Sequence, residues 1–114
     1  MKEIKAYVRC TKVDEVILAL KDKGFHNMTV IDVMALGRGM VDKHHYKYSI
    51  ECIERYSTIA KLEIISSDED AGQIIAIIRK AAYSGESGDG LILASPVEQV
   101  VKIRSGKTGA EALA

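Results

Sequence analysis

A chain of 114 residues is most simply one domain, 1–114, with room for one modest core and too little for two. Hydrophobic residues at 47% and charged residues at 28% match an ordinary soluble globular protein. Lys plus Arg (16) cancel Asp plus Glu (16), and there is no basic run and little aromatic content. That balance excludes a nucleic-acid or membrane-surface role built on bulk electrostatics, so any anion recognition has to be local.

Cys10 and Cys52 form no CxxC pair and are too few for a disulfide scaffold; they read as reduced thiols of a cytosolic protein. The first five residues lack an apolar signal core, and no stretch approaches about 18 uninterrupted apolar residues. A soluble, cytoplasmic protein without membrane insertion is expected.

Residues 3–10 alternate, with Ile4, Ala6, Val8 and Cys10 on one side and Glu3, Lys5, Tyr7 and Arg9 on the other, as in a half-buried strand. Thr11 followed by Asp14 resembles a helix cap with an acidic first turn. Val13, Val16, Ile17 and Leu20 then supply one apolar helical face, and Lys21 and Lys23 precede the stop at Gly24. Residues 28–36 are apolar and β-branched enough for a second strand, ending at Gly37-Arg38-Gly39. Periodicity is then lost over residues 40–58, and a long connection of that kind predicts a projecting loop or ribbon. A third strand is expected over 59–66, where Ala60, Leu62 and Ile64 alternate with Lys61 and Glu63. Ser67 caps a second helix with Asp68, Glu69 and Asp70 in its first turn and Ala71, Ile74, Ile75, Ile78 and Ala82 on its buried face. Residues 91–94 read as a fourth strand broken by Pro96, and residues 100–104 as a last edge strand before the tail.

The order strand, helix, strand, strand, helix, strand predicts an α+β, ferredoxin-like βαββαβ domain: one antiparallel sheet with two helices on one face. That fold carries enzymes, RNA binders and regulatory modules, so it names no function.

Chemistry concentrates between the second helix and the fourth strand. Residues 84–91, Ser-Gly-Glu-Ser-Gly-Asp-Gly-Leu, carry three glycines whose backbone can approach a ligand closely and turn its N–H groups towards phosphate. The same composition also makes an ordinary exposed turn. Elsewhere the bland readings prevail. His44 and His45 are adjacent on an extended segment and lack a third ligand, Cys52 has no activating cation, and the acidic run 67–70 is a helix start. No carboxylate pair or nucleophile–base set appears, and residues 9–12 do not supply an acylphosphatase-type cradle, so neither a catalytic nor a metal site is expected.

Several stretches together resemble the PII nitrogen-regulatory signalling family over nearly the whole chain. They are Met1-Lys2-Glu3-Ile4, Lys12-Val13-Asp14-Glu15-Val16, Gly24-Phe25-His26-Asn27-Met28-Thr29-Val30, Leu36-Gly37-Arg38 and Lys61-Leu62-Glu63-Ile64. Gly85-Glu86-Ser87-Gly88-Asp89-Gly90 looks like the family's B-loop, here 84–91. Pro96-Val97-Glu98 through Lys102-Ile103-Arg104-Ser105-Gly106 looks like its C-loop region, which leads into the 102–114 terminal loop. The resemblance implies a homotrimer that binds an adenine nucleotide (ADP, ATP or AMP) as effector at clefts between subunits. It further implies that a T-loop, here 37–58, contacts a target protein such as a transporter, enzyme or regulator. Carried over, the adenine end of the site involves Thr29 and the backbone of Leu36, Gly37 and Arg38. The phosphates meet the backbone N–H groups of Ser87, Gly88, Asp89 and Gly90, and Lys102 and Arg104 reach in from the neighbouring subunit.

The departures from that pattern are specific. Leu91 stands where the family keeps a phosphate-binding lysine, and Lys102 replaces the first of two C-loop arginines, so altered phosphate binding favouring ADP or AMP over ATP is expected. Gly39 replaces a glutamine and Ile59 a lysine of the 2-oxoglutarate apparatus, so the usual 2-oxoglutarate sensing is expected to be absent or rebuilt. Glu51 stands in place of the nucleotidylylated tyrosine, while Tyr46 and Lys47 fit the pattern and Ser49 matches a serine phosphorylated in some members. The alternatives are a PII-like sensor of another small metabolite such as bicarbonate, or an ACT-like ligand-binding or scaffold protein.

Overall fold

A computed structural model describes residues 1–33 and 59–114. The expectations for Leu36, Gly37, Arg38, the 37–58 loop, the histidine pair, Ser49, Glu51 and Cys52 lie outside the described residues.

Strand β1 (Lys2–Arg9) buries Ile4, Ala6 and Val8 and turns Glu3, Lys5, Tyr7 and Arg9 to the opposite face. Its alternation was expected to continue through Cys10, but Cys10 is exposed and opens a 3-10 turn, Cys10–Lys12. Beyond Arg9 the Val13 N–H donates back to the Cys10 carbonyl, and this 3-10 contact curls the chain out of the strand. The turn also displaces the expected Thr11 cap. Helix α1 (Val13–Asp22) is preceded by Lys12 with no side-chain cap, although Asp14 and Glu15 do occupy its first turn.

Val16 and Leu20 of α1 are buried, with Val13 and Ile17 packed against the same core. The helix stops in a left-handed turn: Gly24 has φ +89°, the Gly24 N–H donates to the Lys21 carbonyl at 2.9 Å, and the Phe25 N–H donates to Leu20 at 3.0 Å. Strand β2 (Thr29–Val33) pairs antiparallel with β3 (Ile59–Ser66), which pairs antiparallel with β1. Ser67 caps helix α2 (Asp68–Ala82), its Oγ accepting the Asp70 N–H at 3.2 Å. Ala71, Ile74, Ile78 and Ala82 are buried along one face of α2, while Ile75 sits at its margin.

Strand β4 (Leu91–Pro96) pairs antiparallel with the other edge of β1, Tyr7 opposite Leu91 and Lys2 opposite Pro96. Pro96 closes the strand from inside it, at an edge where a missing N–H costs nothing. The sheet order is β2-β3-β1-β4. One face of that sheet, through Ile4, Ala6, Val8, Leu62 and Ile64, packs on the apolar faces of both helices in one core, the ferredoxin-like arrangement.

Residues 100–104 form no edge strand. They close on themselves: the Lys102 N–H donates to Lys107 at 2.8 Å, the Gly106 N–H to Lys102 at 2.8 Å and the Gly109 N–H to Val100 at 3.2 Å, with one bridge between Val101 and Thr108. Gly106, at φ +72°, lets the chain double back, so its backbone groups are satisfied locally and not by the sheet. A short 3-10 helix, Gly109–Leu113, follows.

Candidate functional site

The α2–β4 loop is built around one carboxylate. Asp89 Oδ2 accepts the N–H groups of Ser84 at 3.0 Å and Gly85 at 2.9 Å. Its Oδ1 accepts the Ser84 hydroxyl and, at 3.2 Å, Nε of Arg9. Ser84 Oγ in turn accepts the Glu86 N–H at 3.2 Å. The Ser84 hydroxyl first, then the Ser84 and Gly85 amides and Arg9, hold the Asp89 carboxyl well below the usual carboxylate range, outweighing the opposing effect of desolvation. Gly85, Gly88 and Gly90 all take positive φ, at 86°, 99° and 89°. These contacts consume the amides of Ser84, Gly85 and Glu86; those of Ser87, Gly88, Asp89 and Gly90 donate in none of them.

The second arm of Arg9 is also engaged: Nη2 donates to the Ser87 carbonyl at 2.7 Å. In the sequence Arg9 carries no sign of this role, being the last polar residue of an alternating strand and the first of a 9–12 stretch that makes no acylphosphatase-type cradle. Its role depends on register. Extending the Tyr7–Leu91 pairing by two residues sets Arg9 opposite Asp89, a long-range relation that no local pattern announces.

The other expected site residues are dispersed within one chain. Thr29 starts β2, and β2 and β4 are the two outer strands of the sheet; through Glu63 and Lys5 it lines up with Leu93, so three strand spacings, at least about 14 Å, separate Thr29 from the loop. β4 carries the chain about 17 Å away from the loop before the turn holding Lys102 and Arg104 begins. Lys102 Nζ donates to the Ala114 carbonyl at 3.0 Å, and among the described residues no hydrogen bond or ion pair joins Lys102 or Arg104 to the loop. Leu91, where a lysine would add charge, is largely exposed at the loop's exit. It borders an open pocket of about 370 Å³ between α2 and the β4 edge, walled by Ile75, Arg79, Tyr83 and Gly90. Among the described residues no cluster of His, Cys, Asp and Glu could hold a metal ion, and no helix is long and apolar enough to cross a membrane.

Among the described residues, the sheet face away from the helices carries the ion pairs Lys5 with Glu3 at 3.0 Å and Lys61 with Glu63 at 2.9 Å. Lys5 stands opposite Glu63 across the β1–β3 pair. The Glu3 contact raises the Lys5 ammonium above its ordinary value, and Lys61 lowers the Glu63 carboxyl below its own. Around these charges Ile31, Ile65, Leu91 and Leu93 are exposed apolar side chains.

The fold and the glycine loop define a small α+β domain of the ferredoxin-like class. The nitrogen regulatory protein P-II family matches residues 1–107, and the chain belongs to that family. It is 42% identical over 116 aligned residues to a nitrogen regulatory protein P-II of Pyropia yezoensis, covering 99% of this chain and 100% of that protein. It is 39% identical over 116 residues to the nitrogen regulatory protein P-II 2 of Methanothermobacter thermautotrophicus, covering 99% and 97%. A Rhizobium meliloti P-II protein is 37% identical over 113 residues, covering 99% and 100%. The chain is therefore a signal-transduction regulator and not an enzyme.

Proposed function

We propose that this P-II protein is a cytoplasmic, single-domain homotrimer that binds an adenine nucleotide at clefts between subunits and passes the signal to a target protein through residues 37–58. The observation that carries this reading is the α2–β4 loop: its shape is tied down by Asp89, while the amides of Ser87, Gly88, Asp89 and Gly90 are left out of those ties. Preset backbone donors at glycines are what a phosphate group needs, and they require no bulk positive charge. The dispersal of the remaining residues favours a shared site. Thr29 and the loop occupy opposite edges of one sheet, so a second copy completes the cleft by bringing one edge against the other.

In this reading Thr29, Leu36, Gly37 and Arg38 receive the adenine end, and Lys102 and Arg104 of a neighbouring subunit approach the phosphates. Lys102 must leave the Ala114 carbonyl to do so. Leu91 supplies no charge and Lys102 only a point charge, so ADP or AMP is held better than ATP. Gly39 and Ile59 stand where the 2-oxoglutarate apparatus needs a glutamine and a lysine, so the usual 2-oxoglutarate sensing is absent or rebuilt. The ligand acts on the target-binding segment only to the extent that it binds one arrangement of that segment better than another.

Calorimetry with ATP, ADP, AMP and cyclic nucleotides, each with and without 2-oxoglutarate or bicarbonate, tests the proposal. Binding of ADP or AMP more tightly than ATP, unaffected by 2-oxoglutarate, is expected. Tight ATP-dependent 2-oxoglutarate binding overturns the ligand preference, and silence with every nucleotide overturns the nucleotide reading itself.

A further inference from the structure

We infer that Arg9 is the positioning residue of the α2–β4 loop: one guanidinium clamps the Asp89 carboxylate and the Ser87 carbonyl together, and so sets the direction of the Gly88 N–H. The inference rests on the nucleotide reading of that loop for its functional meaning. Its structural content stands on the geometry alone.

The two acceptors of Arg9 flank Gly88, so the clamp spans that residue as a bridge. Gly88 makes the bridge possible, because a Cβ there would come within 3.1 Å of Arg9 Nη2 while the backbone holds φ +99°. A trans peptide is planar with its C=O and N–H pointing in opposite directions. Drawing the Ser87 carbonyl towards Arg9 therefore turns the Gly88 N–H away from Arg9, out of the loop.

Charge gives Arg9 a second task. Asp89 lies within a loop proposed to meet phosphate, and a bare carboxylate there would repel the ligand. Arg9 offsets it at 3.2 Å, and both side chains are largely covered, at 30% and 25% exposed, so solvent screens the pair less than a surface one. Lysine cannot do both jobs, since it has one ammonium where the fork of arginine reaches two acceptors in fixed geometry.

The test uses the full chain with Arg9→Met, Arg9→Lys, Asp89→Asn and the double variant Arg9→Met/Asp89→Asn. By NMR, the wild-type Arg9 Nε–H is expected as a protected resonance that Asp89→Asn abolishes, and Arg9→Met is expected to move the Gly88 amide. ADP affinity is expected to fall about tenfold or more in Arg9→Met and less in Arg9→Lys. The loss in the double variant should be smaller than the sum of the two single losses, because Arg9 and Asp89 act through one shared contact, and strictly additive losses overturn the inference. A wild-type Arg9 Nε–H that exchanges freely, or an Arg9→Met protein with unmoved Gly88 and wild-type affinity, overturns the inference. Should Arg9→Met fail to fold, Arg9→Lys and the wild-type resonance decide it. If the wild-type protein binds no nucleotide, the functional reading fails, and the two NMR signals still confirm or refute the clamp.

Discussion

Gly90 has no room for a side chain. A Cβ at that position would collide with the carbonyl oxygen of Tyr7, and its φ of +89° already lies where L residues are strained. Tyr7 is opposite Leu91, so the collision is with the backbone of the adjacent strand and cannot be relieved by a rotamer change. Gly90→Ala is expected to cost at least about 2 kcal/mol, read as a lower melting temperature, and to pull the loop off β1. Gly106, where an added Cβ would meet nothing within 4 Å, offers the contrast. Alanine there suffers only the strain of φ +72°, so its melting temperature should fall less. Asp89 makes the complementary point about polar groups. Its carboxylate is the organiser of Ser84, Gly85 and Arg9, and its contribution to a site comes through the backbone it holds.

At the level of the element, α2 is where local and long-range demands agree. Ser67 caps it, Asp68, Glu69 and Asp70 sit at its positive end, and Arg79 and Lys80 sit at its negative end. Its buried stripe of Ala71, Ile74, Ile78 and Ala82 faces the sheet and α1. Ile78 is fully buried, so Ile78→Ala is expected to cost about 2–5 kcal/mol by urea unfolding, the range for a large aliphatic side chain whose site cannot collapse. Loss of the cap in Ser67→Ala should cost only about 1 kcal/mol, because that serine satisfies one amide at an exposed end. The segment 100–104 behaves in the opposite way. Val100, Val101 and Ile103 give it the composition of a strand, yet it pairs with its own continuation and leaves Ile103 fully exposed.

For the molecule as a whole, the sheet face opposite the helices poses the question of assembly. Charges paired among themselves and ringed by Ile31, Ile65, Leu91 and Leu93 suit a face that meets another copy, since the ion pairs need no partner charge and the apolar rim gains from burial. Sedimentation equilibrium is expected to report three times the 12.5 kDa chain mass, and Leu93→Glu to shift the protein towards monomer. A wild-type monomer at micromolar concentration would contradict both the trimer and the shared cleft.

The amino-acid sequence by itself determined the secondary elements whose periodicity repeats over several residues, the cap of α2, the stop at Gly24 and the glycine character of the α2–β4 loop. Each of these rests on neighbours within a turn or a few strand residues, where side-chain spacing dictates backbone choice. Only the tertiary structure decided where β1 ends, because a strand lasts as long as its pairing: the ladder with β4 stops at Tyr7 opposite Leu91, and Cys10 becomes a turn residue in spite of the alternation. The same dependence placed Arg9 opposite Asp89, 80 positions away in the chain. Register across a sheet is set by the packing of its whole buried face, and that packing turned a polar residue at the end of a strand into the clamp of the loop.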